Sequence, residues 1–437
     1  MRDLLSRLQN MRLVGFLLVL SLVGYHFSAR AVQSYFPAYL LTVAVLLSPS
    51  SYRQLPILLK ASPIAVLSLV YLIYVAVSGL WATGGAFVVA KNQGYAVMVG
   101  CFLLAIVQTA QRAQFKPWLL LLVVVLGSAS AYLGLGNYLE DRQSLSNTRL
   151  KETMIPVSRC QVPVEKWRDP VDGLTQLQCR ELARQNEERA DYTYWRLEGH
   201  GRLSHPVIGS LHVALCLCIS VAFLSYQIPG TRKLLILANC LMLSAYLYLS
   251  GSIGVLIGLT IVSLFLGTRS LDSKPRVVLW AGIVGIAGLA LFLALDFLTF
   301  SPRGLSFRDV IWQEVVALLL QGNRLIHGFG AGSSFTLPLV SGEIAQHPHS
   351  IYFATIYQGG LIGLVLVLLL ITRCCWLVFA RHSPYFNVLG SAWLYAISTL
   401  AVDGNTIVSK FDHMWILVWL PVALLIHEEA SAARSTD

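Results

Sequence analysis

The sequence predicts an all-α polytopic integral membrane protein with about twelve transmembrane helices and two large segments on the outer face. Three observations predict it. Of 437 residues, 56% are drawn from AVILMFWYC and only 12% are charged, about half the charged share of a soluble domain. The apolar residues gather into runs of roughly 20, the length a helix needs to cross hydrocarbon. The short loops between runs sort their Lys and Arg to one side. This composition excludes a disordered chain, a DNA-binding basic module and an ordinary soluble enzyme.

The first five runs, about 13–29, 33–49, 62–80, 88–108 and 117–136, form an N-terminal helical unit over residues 1–136. The first lacks a small-residue cleavage site, so it reads as a retained helix, not a signal peptide. A polar segment, 137–205, follows. Runs at about 206–226, 233–250, 252–267 and 277–297 make a second helical unit, 206–297. A second outer segment, 298–350, leads to runs at about 351–372, 384–402 and 411–427 and a short tail, within 351–437.

Orientation follows from the short loops. Arg2, Arg7, Arg12, Arg53, Lys60, Arg112, Lys116, Arg232, Lys233, Arg269, Lys274, Arg276, Arg373, Arg381 and Arg434 fall on one side. Arg30, Lys91 and Lys410 fall on the other. The positive-inside rule then makes both termini cytoplasmic and both long segments external.

Segment 137–205 carries eleven basic and eleven acidic residues, which suits a water-exposed cap. Residues 174–191 (LTQLQCRELARQNEERAD) are rich in helix formers and read as a helix. Six of eight cysteines lie in or beside apolar runs, and only Cys160 and Cys179 lie in the cap. If the cap faces an oxidising periplasm, this pair is expected to form a disulfide worth about 3 kcal/mol. Metal ligation is the alternative, but neither cysteine has a CxxC or nearby histidine partner.

Segment 298–350 is where chemistry is expected. From Phe307 to Gln321, Val310, Ile311, Val315 and Leu318 recur at helical spacing, with Arg308, Asp309, Gln313 and Glu314 mostly on another face. With Trp312 this describes a short helix lying in the bilayer interface. Arg324 and the turn His327-Gly328-Phe329-Gly330-Ala331-Gly332 follow, then Gln346-His347-Pro348-His349-Ser350. The glycines permit unusual backbone and close approach to a ligand. They are no dinucleotide fingerprint, since no strand–helix unit surrounds them. His347 and His349 lack a third ligand at metal spacing, so no metal is expected. His349 reads either as a packed polar residue or as a base. His347, His327 and His205 are alternates for the base. Asp403, in the Asp403-Gly404-Asn405 turn, either supports His349 or caps a helix.

An arginine on an interfacial helix, a Gly-Phe-Gly turn, and His349-Ser350 opening a helix with Gly359-Gly360-Leu361-Ile362-Gly363 together resemble the O-antigen ligase/polymerase superfamily. So does Gly201-Arg202-Leu203-Ser204-His205-Pro206 at the start of the sixth run. The resemblance covers the C-terminal half and the span count. One departure is plain: many relatives carry Ser-Arg-Gly where this chain has Ser252-Ile253-Gly254.

The resemblance implies a GT-C-like glycosyltransferase architecture in the bacterial inner membrane with a periplasmic active site, serving lipopolysaccharide assembly. The implied reaction is inverting, metal-independent and free of cofactors. It moves glycan from undecaprenyl diphosphate to a sugar hydroxyl of lipid A–core. Its essential histidine maps onto His349 and its essential arginine onto Arg202, with a second diphosphate-binding arginine expected at Arg308 or, failing that, at Arg303 or Arg324. Guanidinium suits the role: it is permanently charged and grips two phosphate oxygens at once. Histidine, with an unperturbed pKa near 6.5, suits removal of the acceptor proton.

Two rivals remain. A polysaccharide polymerase of the same superfamily would join one lipid-linked glycan to another. A flippase or transporter would place ionisable residues along a path through its spans, and the spans here hold few charges.

Overall fold

The computed structural model describes residues 2–27, 31–111, 115–144, 205–226, 228–250, 254–271, 308–338 and 344–434, with residues 197, 200, 203 and 252. Nearly all described secondary structure is helical. The first six helices are α1 (Arg2–Phe27), α2 (Ala31–Leu46), α3 (Pro49–Ala61), α4 (Pro63–Ser78), α5 (Ala86–Ala110) and α6 (Phe115–Ser144). They are followed by α7 (Pro206–Phe223), α8 (Gly230–Ser250), α9 (Gly254–Leu271), α10 (Arg308–Gln321), α11 (Ile351–Ala380), α12 (Pro384–Asp403) and α13 (Leu420–Arg434).

Among the described residues, seven helices are long and apolar enough to cross a membrane, and four apolar helices are shorter. All eleven coincide with expected runs. The twelfth run, 277–297, lies outside the described residues, as do residues 174–191, Cys160, Cys179, Arg202 and Arg303.

Proline sets several helix starts. Ser62-Pro63 and Ser383-Pro384 place proline at the first helical position, where no N–H is needed. The preceding serine accepts from the third residue on: Ala65 N–H to Ser62 Oγ at 3.2 Å and Phe386 N–H to Ser383 Oγ at 3.2 Å. The same punctuation creates α3, a short amphipathic helix between the second and third spans that hydropathy alone does not resolve. The last span also starts later than its apolar run. Residues 404–412 form a loop, and after His413 and Met414 begin the helix a π-helical stretch, Trp415–Trp419, leads into α13. Asp412 makes that start by accepting from Met414 N–H at 2.9 Å.

One large core fills the bundle, with Trp393, Trp415 and Trp419 among its fully buried side chains. Several polar groups inside it are tied to one another. His26 and His212 meet Nε2 to Nε2 at 2.7 Å and link α1 to α7. At the opposite end from residues 404–414, the Glu429 carboxylate gathers Ser62 Oγ (2.6 Å), Ile64 N–H (3.0 Å) and Arg373 Nε (2.7 Å). That acid caps α4 and fastens it to α11 and α13.

A second, smaller core stands apart: Ile311, Val315 and Leu319 of α10, Phe335, Ala345 and Tyr357. A helix is present where one is expected at 307–321, but it turns Ile311, Val315 and Leu319 inward while Val310 is exposed. The spacing of four selects that face. A two-residue antiparallel ladder, Leu337–Pro338 with Ile344–Ala345, lies in the same unit.

This unit joins the bundle at a break in α11. Gly360 adopts φ 59°, ψ −161° and splits the helix into Ile351–Gly359 and Leu361–Ala380. Breaking a helix strands carbonyls and N–H groups, which lipid cannot satisfy. The glycine-rich turn satisfies them instead. Phe329 and Gly330 N–H groups donate to the Tyr357 and Gln358 carbonyls, each at 2.8 Å, and Leu361 and Ile362 N–H groups donate to the Leu325 (2.8 Å) and Ile326 (3.1 Å) carbonyls.

Candidate active site

His349 sits immediately before the cap of α11. Ser350 is that cap, its Oγ accepting from Tyr352 N–H at 3.3 Å. The backbone of His349 has φ +54°, a conformation that non-glycine residues rarely adopt. Such strain, of order 1–3 kcal/mol, persists only where surroundings impose it, and it gathers at functional sites. Here Trp312 of α10 imposes it. Its indole Nε1–H donates to the Pro348 carbonyl at 2.9 Å, and its ring stacks on Phe353 at 5.1 Å and 4°. The His347 and His349 rings lie 4.0 Å apart, and the His349 N–H donates to His347 Nδ1 at 3.3 Å.

Arg308, the first residue of α10, reaches α12. Its Nε donates to the Val402 carbonyl at 2.6 Å, and its Nη2 forms an ion pair with the almost fully buried Asp403 carboxylate. Room for that carboxylate exists because residue 254 is glycine: a Cβ there would collide with Asp403 Oδ2. Asp403 therefore holds Arg308, a different partner from the His349 contact that sequence position offered. Gly254 thus lies directly against this ion pair.

Burial lowers the pKa of His349 to about 3, with His347, then Arg308, then His205 adding to the effect. His347 is lowered too, first by burial, then by His413, His205 and Arg308. The His349 imidazole is thus neutral from pH 8 down to the acid range, able to accept a proton or a hydrogen bond, and His347 is shifted in the same direction. The ordinary value near 6.5 expected for His349 does not hold, because its ring is half-buried and faces a guanidinium.

The structure therefore brings together His349, His347, Arg308, Asp403 and His205. It does not bring Arg324 and His327 to them. Those two pair with each other, Arg324 Nη1 donating to His327 Nε2 at 3.1 Å, and His327 packs edge-on against Trp81 at 5.9 Å. His205 caps α7, its Nδ1 accepting from Val207 N–H at 3.3 Å.

The glycine turn serves packing, not a ligand. Gly328, Gly330 and Gly332 all have positive φ. A Cβ at Gly328 would lie 2.5 Å from the Gln358 carbonyl oxygen, and one at Gly330 would strike the Ser78 carbonyl. His413, missed from the sequence, lies within electrostatic range of His347 at the helix start that follows the loop 404–412. Its neighbours Asp412 and Lys410 in a short outer loop were the available signal. Among the described residues, no group of three His, Cys, Asp or Glu side chains has an arrangement that could hold a metal ion.

No protein-family model matches the chain. Among curated proteins, the O-antigen ligase of Pseudomonas aeruginosa is 26% identical to it over 251 residues, 55% of this chain. That match supports an O-antigen ligase-family assignment. The chain spans about 61% of the length of this relative. The seven long apolar helices are consistent with a polytopic membrane protein.

Proposed function

We propose that the protein is an inverting, metal-independent glycosyltransferase that moves O-antigen glycan from undecaprenyl diphosphate to a lipid A–core sugar hydroxyl at the periplasmic face of the inner membrane. The observation that carries this reading is the strained, neutral His349 beside the Arg308–Asp403 pair, in a chain similar to an O-antigen ligase.

In this reading the acceptor hydroxyl donates a hydrogen bond to the His349 imidazole. Its oxygen attacks the anomeric carbon from the side opposite the diphosphate. The new C–O bond forms as the bond to the leaving oxygen breaks, and the hydroxyl proton passes to His349 and then to solvent or the released diphosphate. Charge accumulates on the diphosphate during that step. Arg308, oriented by Asp403, stabilises it, and Arg202 is the proposed second cation. A bound diphosphate also offsets the positive charge around His349, which adds to burial in depressing it. The base therefore strengthens as the site fills.

Reconstituted protein supplied with lipid-linked glycan and either lipid A–core or a second lipid-linked glycan tests the reading. Transfer to lipid A–core alone is expected. Chain elongation instead would identify a polymerase, and movement of glycan lipid across the bilayer without transfer would identify a flippase.

A further inference from the structure

The positive-inside rule depletes the outer side of Lys and Arg, yet Lys91, near the start of α5, and Lys410, in the loop after α12, are assigned to that side and both are exposed. They border one patch. Lys410 Nζ lies 5.7 Å from the Tyr35 ring centroid. Lys91 is one helical turn before Tyr95 on α5, hence on the same face. Tyr95 lies within electrostatic range of Tyr35, Tyr39 and Asp412. Three tyrosines from α2 and α5 and two ammonium groups thus converge where Asp412 is held by Ser409 Oγ (2.8 Å) and Met414 N–H (2.9 Å).

The patch adjoins the candidate active site. Asp412 precedes His413, which lies within electrostatic range of His347, and the loop begins at Asp403, the partner of Arg308. Tyrosine rings offer flat faces to the C–H faces of sugars, and lysines offer point charges to phosphate or carboxylate. Tyrosines also form belts at membrane interfaces, but a belt needs neither two lysines nor a half-buried, hydrogen-bonded acid beside them.

We propose that Tyr35, Tyr39, Tyr95, Lys91 and Lys410 bind the anionic glycan of the acceptor and deliver its hydroxyl to His349. This rests on the glycosyl-transfer reading.

The test compares the full-length protein with K91Q/K410Q and Tyr39→Ala, all at exposed positions. Binding of phosphorylated lipid A–core, its dephosphorylated form and phosphatidylglycerol is measured alongside KM for donor and acceptor. The double variant is expected to lose about tenfold in affinity for the phosphorylated acceptor, the size of one charge-assisted hydrogen bond. Its affinity for the dephosphorylated acceptor, its donor KM and its kcat stay at wild-type values. Tyr39→Ala weakens both acceptors. Unchanged acceptor affinity in both variants overturns the proposal, and so does a patch for which phosphatidylglycerol competes as well as acceptor. Binding is read without turnover. A wild-type protein that binds acceptor in this way yet transfers nothing contradicts the transfer reading alone.

Discussion

His349 is held by its neighbours in a backbone conformation that costs energy and in a buried setting that, helped by nearby positive charge, keeps it neutral. Both have consequences for pH. Because kcat/KM reports the free enzyme, it is expected to stay flat from pH 8 to 5, with no limb near 6.5; a limb there would show that His349 titrates normally. The acid limb of kcat is expected at higher pH, since bound diphosphate raises the imidazole. The same depression carries a stability sign. Folded His349 binds a proton less readily than unfolded histidine, so protonation works against the fold as pH falls from 6.5 toward 3. Arg308→Lys tests the fork geometry. Lysine keeps the charge but cannot bond Val402 and Asp403 together, and kcat is expected to fall roughly 10²-fold, as for other transition-state donors. Wild-type turnover would mean that charge alone, or nothing, is needed there.

At the scale of elements, the helix break and the glycine turn are one device. Neither Gly328 nor Gly360 tolerates a side chain, because each has positive φ and each would strike backbone of the other's segment. Gly360→Ala is expected to cost about 1–3 kcal/mol, read as a lower melting temperature in detergent; an unchanged melting point would mean that the clasp carries no load. Half of this was legible. Glycines 328, 330 and 332 announce positive φ, and Gly359-Gly360 announces a weak point in a helix. That one answers the other is not written locally, since the pairing closes only after about thirty residues of intervening chain fold. The Arg308–Asp403 pair is further from reading range, 95 residues apart. The α10 and α11 starts were legible because Ser350, Trp312 and the spacing of apolar residues act within a turn or two. The His349 basicity was not, since burial is a tertiary property.

For the whole molecule, the charge asymmetry of short loops makes a prediction about sides. Single cysteines introduced at Arg381 and Arg232 are expected to be shielded from an impermeant thiol reagent in intact cells, whereas one at Lys410 is labelled. Labelling of all three alike would overturn the proposed topology. On the same account, Cys160 and Cys179 are expected to be oxidised in protein isolated without reductant, and two free thiols there would remove the periplasmic cap from the picture. The helices in place around the site are consistent with such sidedness, because His349, Arg308, Asp403, Lys91 and Lys410 all lie at one end and the Glu429 network at the other.

The central claim is that His349 handles the acceptor proton, and one assay meets it directly: transfer of lipid-linked glycan to lipid A–core by purified, reconstituted His349→Ala. The predicted result is loss of at least about 10²-fold in kcat, with donor binding and melting temperature kept. Wild-type transfer by that variant would contradict the account.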